Sequence, residues 1–321
     1  MRDILLARGA AKLIDQCLCI RPGERAVIIT DFSRMQIARA LAFIVQERGN
    51  EFTIHLMTER SRHGEEPPES IAAAMLKADV IIMPTTFSLT HTKARVDANR
   101  EGARILSLPG YVEATLMGGG LDADFDAARK VVLQVSKLLD QSETVRITSS
   151  LGTDFTANIK GRKSVNATGI ADTPGSWAAP PAIETAIGPM EGTASGTVFV
   201  DGVLIPGGIV RDEVRVHFKE GKIVEISGGK QAQDFEKALK GYNDPNVFYA
   251  VEIGIGLNPK AELGRNYLED ETTYGTLHLG LGEGRTYGSS ISASAHLDLV
   301  LDRATLSLDG KEVVKNRELT L

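Results

Sequence analysis

The stretch F-Y-A-V-E-I-G-I-G-L-N-P, residues 248–259, decides how the second half of this chain is read. Taken as a strand, it puts Tyr249, Val251, Ile253 and Ile255 on one face and Ala250, Glu252, Gly254 and Gly256 on the other. A carboxylate inside an apolar strand is costly without a partner. The glycines beside Glu252 leave room for one. The same design recurs in T-L-H-L-G-L-G (276–282), where His278 shares a face with Gly280 and Gly282. It recurs in S-A-H-L-D-L-V (294–300), where His296 and Asp298 project together, and in A-I-E-T-A-I-G-P (182–189), where Glu184 shares a face with Ala186 and Gly188.

Singly, each of these residues has a plain explanation, such as a satisfied core histidine or a solvent-facing glutamate. Together they read as a metal site, because they gather two of the six histidines and three carboxylates on glycine-flanked strands. The expected ligands are Glu184, Glu252, His278, His296 and Asp298. His55, His63, His91 and His217 have no such setting and read as surface or loop residues. Three carboxylates and two neutral imidazoles leave one negative charge around a single divalent ion. Around two ions they leave one positive charge, which a bridging hydroxide cancels. This arithmetic favours two divalent ions with Glu252 bridging. Mixed nitrogen and oxygen donors suit zinc, cobalt, manganese or iron.

Upstream, the first 142 residues alternate apolar runs with helical patterns. Ala26–Ile29, Phe52–Leu56, Val80–Met83 and Ile105–Leu108 read as buried parallel strands. Gln36–Arg48, Ser70–Lys77 and Phe125–Leu139 read as helices. That alternation predicts an α/β domain, 1–142, with an open parallel sheet and flanking helices. No G-x-G-x-x-G or phosphate-binding G-x-x-x-x-G-K-[ST] follows any of its strands, so it reads as scaffold. From 143 to 321 the texture is glycine-rich and β-rich. Hairpins are expected at 145–159 and 214–226, and a helical stretch only around Asp234–Leu239. The Gly- and Pro-rich stretches at 173–181 and 206–208 read as substrate-facing loops or plain connections.

With 321 residues, 42% hydrophobic and 24% charged, the composition is that of an ordinary globular protein. A net charge of −6 argues against nucleic acid and anionic membranes, which leave a basic footprint. Cys17 and Cys19 are spaced wrongly for a Cys-x-x-Cys site and suit a reducing compartment. The N-terminal M-R-D-I-L-L-A-R carries charges where a signal peptide needs an uncharged run, so a cytoplasmic location is expected.

At the five ligand positions the chain resembles the metallo-aminopeptidases of the aminopeptidase T and aminopeptidase S type. Their two divalent ions are held by Glu, Glu, His, His and Asp in this order. Glu184 lies in an E-x-x-x-x-P context ahead of a G-x-V-x-x-D stretch, here 196–201; Glu252, His278 in H-L-G-L-G and the closing His296 and Asp298 match the rest. The resemblance is specific over about 180–310 and architectural before that. It implies a dinuclear hydrolase removing N-terminal residues from peptides, and a homodimer. The family's catalytic glutamate falls at Thr273, so a two-residue insertion would make Glu271 its equivalent, with Glu269 the other candidate base. The family's catalytic tyrosine falls at Arg285, with Tyr287 two residues on as the expected oxyanion partner.

Ring-cleaving 2,5-dihydroxypyridine dioxygenases resemble the same scaffold with one Fe(II) on two histidines and a carboxylate. They share the closing H-L-D, but a histidine replaces the Glu252 position and the His278 equivalent is lost. Because both residues are kept here, the two-metal aminopeptidase is the main expectation. The Fe(II) dioxygenase is the alternative, and a non-catalytic metal- or peptide-binding member is the third reading.

Overall fold

The computed structural model describes residues 2–320, so Met1 of the N-terminal stretch lies outside the described residues. The chain divides into two compact units, 1–125 with 167–182, and 126–166 with 183–321. Beyond its first residue, the helix Phe125–Gln141 groups with the second unit, and the segment 167–182 returns to the first.

The first unit holds a five-stranded parallel sheet in the order Phe52–Met57, Ala26–Asp31, Val80–Met83, Arg104–Ser107, Trp177–Ala178. Ala26–Asp31, Val80–Met83 and Arg104–Ser107 are buried at every position. Burial on both faces is why they read as unbroken apolar runs. Phe52–Met57 is partly exposed, as an edge strand can be. Helices Met35–Glu47, Glu69–Met75 and Lys93–Arg100 connect the strands. The fifth strand comes from the stretch read as a loop, because two residues carry no periodicity.

Arg104 interrupts the apolar pattern of its strand. It is 2% exposed, and its guanidinium donates to the carbonyls of Leu18 and Cys19 while pairing with Glu24. Arg104→Met leaves those acceptors without a donor, and we expect it to lower stability by about 3 kcal/mol in urea unfolding. A loss under about 1 kcal/mol would mean that the buried cation contributes little.

The second unit holds an eight-stranded and a seven-stranded sheet. The hairpins Thr144–Thr148 with Asp154–Asn158, and Val214–Lys219 with Lys222–Gly228, form as their alternation predicts. The helix expected around 234–239 runs over Lys230–Gly241. The central run of the seven-stranded sheet is Val203–Ile205, His296–Leu301, Leu277–Gly282, Ala250–Gly256, Glu184–Ile187, each pair antiparallel. Val251, Ile253, Ile255, Leu277, Leu279, Leu281, Leu297 and Leu299 alternate with the ligand positions and are fully buried. That apolar face anchors the sheet and frees the opposite face for chemistry. No described helix is long and apolar enough to cross a membrane.

Candidate metal centre

Strand register sets each expected ligand against a glycine. Glu184 pairs with Gly256 and His278 with Gly254; Glu252 and Asp298 both pair with Gly280, and His296 with Gly282. Cross-strand neighbours stand about 5 Å apart at Cβ, so a side chain opposite a ligand would occupy the same space. A methyl on Gly254 would fall 1.9 Å from His278 Nε2, and one on Gly280 would fall 2.5 Å from Glu252 Oε2. These glycines serve close approach rather than a turn. A register shift between Ala250 and Glu252 brings the glutamate opposite Gly280.

The side chains converge on both oxygens of Glu252. His296 Nε2 lies 2.8 Å from Glu252 Oε2 and 3.3 Å from Asp298 Oδ1. His278 Nε2 lies 3.3 Å from Glu252 Oε1 and 3.6 Å from Glu184 Oε2. His296 Nδ1 is 2.8 Å from the Glu283 carbonyl, which can only accept. Nδ1 therefore carries a hydrogen, and Nε2 is the atom offered to the carboxylates, the arrangement of a metal-binding imidazole with its outer partner. Glu184 Oε2 and His278 Nδ1 are buried without a hydrogen-bond partner.

The electrostatics ask for a cation. Burial would lower the His278 imidazole, but its hydrogen bond to Glu252 and the charges of Glu252, Glu184 and Asp298 push it up to about 10. Burial opposes the charge of His296 too, yet Asp298 and Glu252 raise it well above its ordinary value. Burial would raise Glu252, but hydrogen bonds from both imidazoles hold it at about 2. Glu184 is pushed up to about 7, first by burial. With protein groups alone, two protonated imidazoles offset the charges of Glu252 and Asp298. A divalent ion supplies the same charge and leaves both imidazoles neutral, as ligands must be.

The geometry passes the same test. Adjacent donors on an octahedral ion lie about 3 Å apart. The ligand atoms of Glu252, His296 and Asp298 all fall within 4.8 Å of one another. His278 and Glu184 extend this triad on the far oxygen of Glu252. The residues fit a divalent ion that takes nitrogen and oxygen donors.

Of the four expected catalytic residues, two feel the charge of this cluster, and one of them, Tyr287, has its ring beside His296. Glu271 follows the short helix Tyr267–Asp270. Its carboxyl is raised well above the usual range, first by burial and then by negative Glu184 and Asp298. The Tyr287 ring lies 5.7 Å from the His296 ring, tilted by 35°. Its phenol is raised well above its ordinary value by burial and then by the charges of Glu252, Glu184 and Asp298. Glu269 is committed elsewhere: it accepts from Asn266 Nδ2 at 2.9 Å and pairs with Arg265, bracing its own loop. Arg285 lies at the surface, 2.7 Å from Glu283. The Glu283 carbonyl that orients His296 had no signal in the sequence, since a backbone group leaves none. His55, His63, His91 and His217 are exposed or half-buried and lie outside the cluster.

Residues 11–321 match the family described as NicX: 2,5-dihydroxypyridine 5,6-dioxygenase. A 2,5-dihydroxypyridine 5,6-dioxygenase of Pseudomonas putida KT2440 is 29% identical over 255 residues, covering 75% of this chain and 71% of that protein. The solved 2,5-dihydroxypyridine dioxygenase structure from Pseudomonas putida KT2440 superposes with a TM-score of 0.83 at 22% identity, over 99% of this chain and 97% of that one. Wild-type AmpT from Thermus thermophilus superposes with a TM-score of 0.70 at 14% identity, over 99% of both chains. At such identities the two superpositions show a shared fold and nothing finer.

The match over 11–321 overturns the main expectation from the sequence, a hydrolase of the aminopeptidase or metalloprotease kind. The physical reason is that both kinds of protein share this fold, so strand patterning alone does not separate them. Retention of Glu252 and His278 speaks to ligand placement and leaves open the reaction run above them.

Proposed function

The chain belongs to the 2,5-dihydroxypyridine 5,6-dioxygenase family, and from that premise we propose that it opens the ring of a dihydroxylated pyridine with dioxygen at a single Fe(II). The observation that carries this reading is the convergence of Glu252, His296 and Asp298 within 4.8 Å in a chain that matches that family almost end to end. When bound, iron would supply a redox-active Lewis acid with open positions for substrate and dioxygen.

The chain's own residues do the rest. His296, Asp298 and Glu252 would hold the ion, with Glu252 standing where the resembled dioxygenases carry a second histidine, so that two carboxylates and one imidazole take the place of one carboxylate and two imidazoles. His278 would steady Glu252 through its other oxygen, and Glu184 would complete the charge on that side. Burial and the neighbouring carboxylates raise the Glu271 carboxyl's hold on a proton well above the usual carboxylate range, which suits it to exchange one with a substrate hydroxyl. The Tyr287 phenol stays neutral, donates a hydrogen bond toward developing negative charge, and walls the space beside His296 with its ring. The substrate is a small aromatic molecule, which suits a site built on buried strands.

The test is direct. Protein purified anaerobically without chelator is expected to hold about one iron per chain and to consume dioxygen with 2,5-dihydroxypyridine as its ultraviolet band is lost. Chelation should abolish turnover, and Fe(II) should restore it. Two zinc, cobalt or manganese ions per chain, or turnover that continues without dioxygen, would sink the reading.

A further inference from the structure

Tyr287 sits in the connection between the two histidine-bearing strands, residues 283–295, on a 3-10 turn, Arg285–Tyr287, closed by Gly288 at φ +77°. A long connection of this kind is mobile unless it is tied down. Two side chains remote in sequence tie it. The Arg162 guanidinium donates to the Gly288 carbonyl, to the Pro189 carbonyl at 3.3 Å, and to Glu191. Glu191 Oε1 in turn accepts from Ser289 Oγ at 3.1 Å, Ser290 N at 2.7 Å and Ser290 Oγ at 3.1 Å.

The arrangement closes around the tyrosine from both ends of one segment. Residues 184–191 begin at the candidate ligand Glu184 and end at Glu191. Gly188 within them lies so close beneath Tyr287 that a methyl there would fall 2.4 Å from the Tyr287 carbonyl oxygen. The Arg162 side chain is 13% exposed, and its Nε is buried without a partner, a cost accepted in order to place the fork. Burial would raise Glu191, but the Ser290 amide, Arg162 and Ser289 hold it at about 2, so its acceptor oxygens are ionised throughout the neutral range.

We propose that Arg162 and Glu191 form a latch that sets Tyr287 against His296, making both of them positioning residues that act on substrate through Tyr287. The proposal rests on Tyr287 being a site residue, as in the reading above. The half-buried Arg162 and the more exposed Glu191 direct their side-chain donors and acceptors to residues 189–191 and 288–290, the two segments that meet at this one aromatic residue.

The experiment labels the protein with 3-fluorotyrosine, giving six fluorine resonances, of which Tyr287 is assigned by its loss in Tyr287→Phe. In the parent, the Tyr287 signal should be displaced from the free amino-acid position. In Arg162→Met it should move back toward that position while the other five stay put. An unmoved Tyr287 signal overturns the latch, and movement of all six means a global packing role and overturns it equally. If Arg162→Met does not fold, Arg162→Lys and Glu191→Gln are read in the same way, since each keeps one half of the pair. In turnover, Arg162→Met should lower kcat about tenfold or more in the parent and less than about twofold in a Tyr287→Phe background. Equal losses in both backgrounds would place the action of Arg162 outside Tyr287. A parent that leaves dihydroxypyridine intact sinks the proposed reaction, whereas the fluorine readout still decides the latch.

Discussion

Asp298→Ala is expected to strip the chain of iron and to lower dihydroxypyridine cleavage by at least about a thousandfold, well beyond the ten- to hundredfold typical of losing an outer partner. Asp298 is 5% exposed between Leu297 and Leu299, both fully buried, so its strand holds the carboxylate at the centre. Its Oδ1 stands 3.3 Å from His296 Nε2, the same separation as between His278 Nε2 and Glu252 Oε1. Without metal, Asp298 pairs with the protonated His296 imidazole, so its removal leaves that cation one partner fewer and should itself cost some stability. Adding Fe(II) at a hundred times its Kd should stabilise the parent by about 2.7 kcal/mol and the variant by nothing. Melting curves with and without Fe(II), beside elemental analysis, check both halves. A variant that keeps one iron per chain would remove Asp298 from the centre.

Gly280→Ala should have an effect nearly as large from a single methyl. That methyl would fall 2.5 Å from Glu252 Oε2, 2.7 Å from Glu252 Cβ and 2.7 Å from His296 Cε1. Two of the three proposed ligands would have to move, and the strand beneath them cannot, because Leu279 and Leu281 on either side are locked in the apolar face. We expect iron affinity to fall at least about a hundredfold and stability to fall by about 1–3 kcal/mol, the usual cost of overpacking. Glycine at 241 provides the control, since a methyl there meets nothing within 4 Å. If Gly280→Ala bound iron as the parent does, the close approach would be an accident of packing and the centre would lie elsewhere.

Period-two alternation on four strands was enough, without coordinates, to put Glu184, Glu252, His278, His296 and Asp298 on faces opposite an apolar core, and unbroken apolar runs were enough to call the parallel sheet. Both signals are local: a side chain's face depends only on its own strand, and a doubly buried strand announces itself in consecutive residues. The α/β class followed from that.

Tertiary structure decided what depends on distance between strands. Register placed Gly254 and Gly280 against His278 and Glu252, and divided the two oxygens of Glu252 between two imidazoles. It separated Tyr287, beside His296, and Glu271, which feels the charge of the cluster, from Glu269 and Arg285, which are committed to their own neighbours. Such choices turn on loops whose path is set by contacts such as Arg162 with Gly288, 126 residues apart, and no periodicity reports them. The choice between hydrolysis and ring cleavage lay beyond local pattern for the same reason. Strand faces determine where ligands stand, while the reaction depends on the groups and space above them, which residues distant in the chain assemble only when it folds.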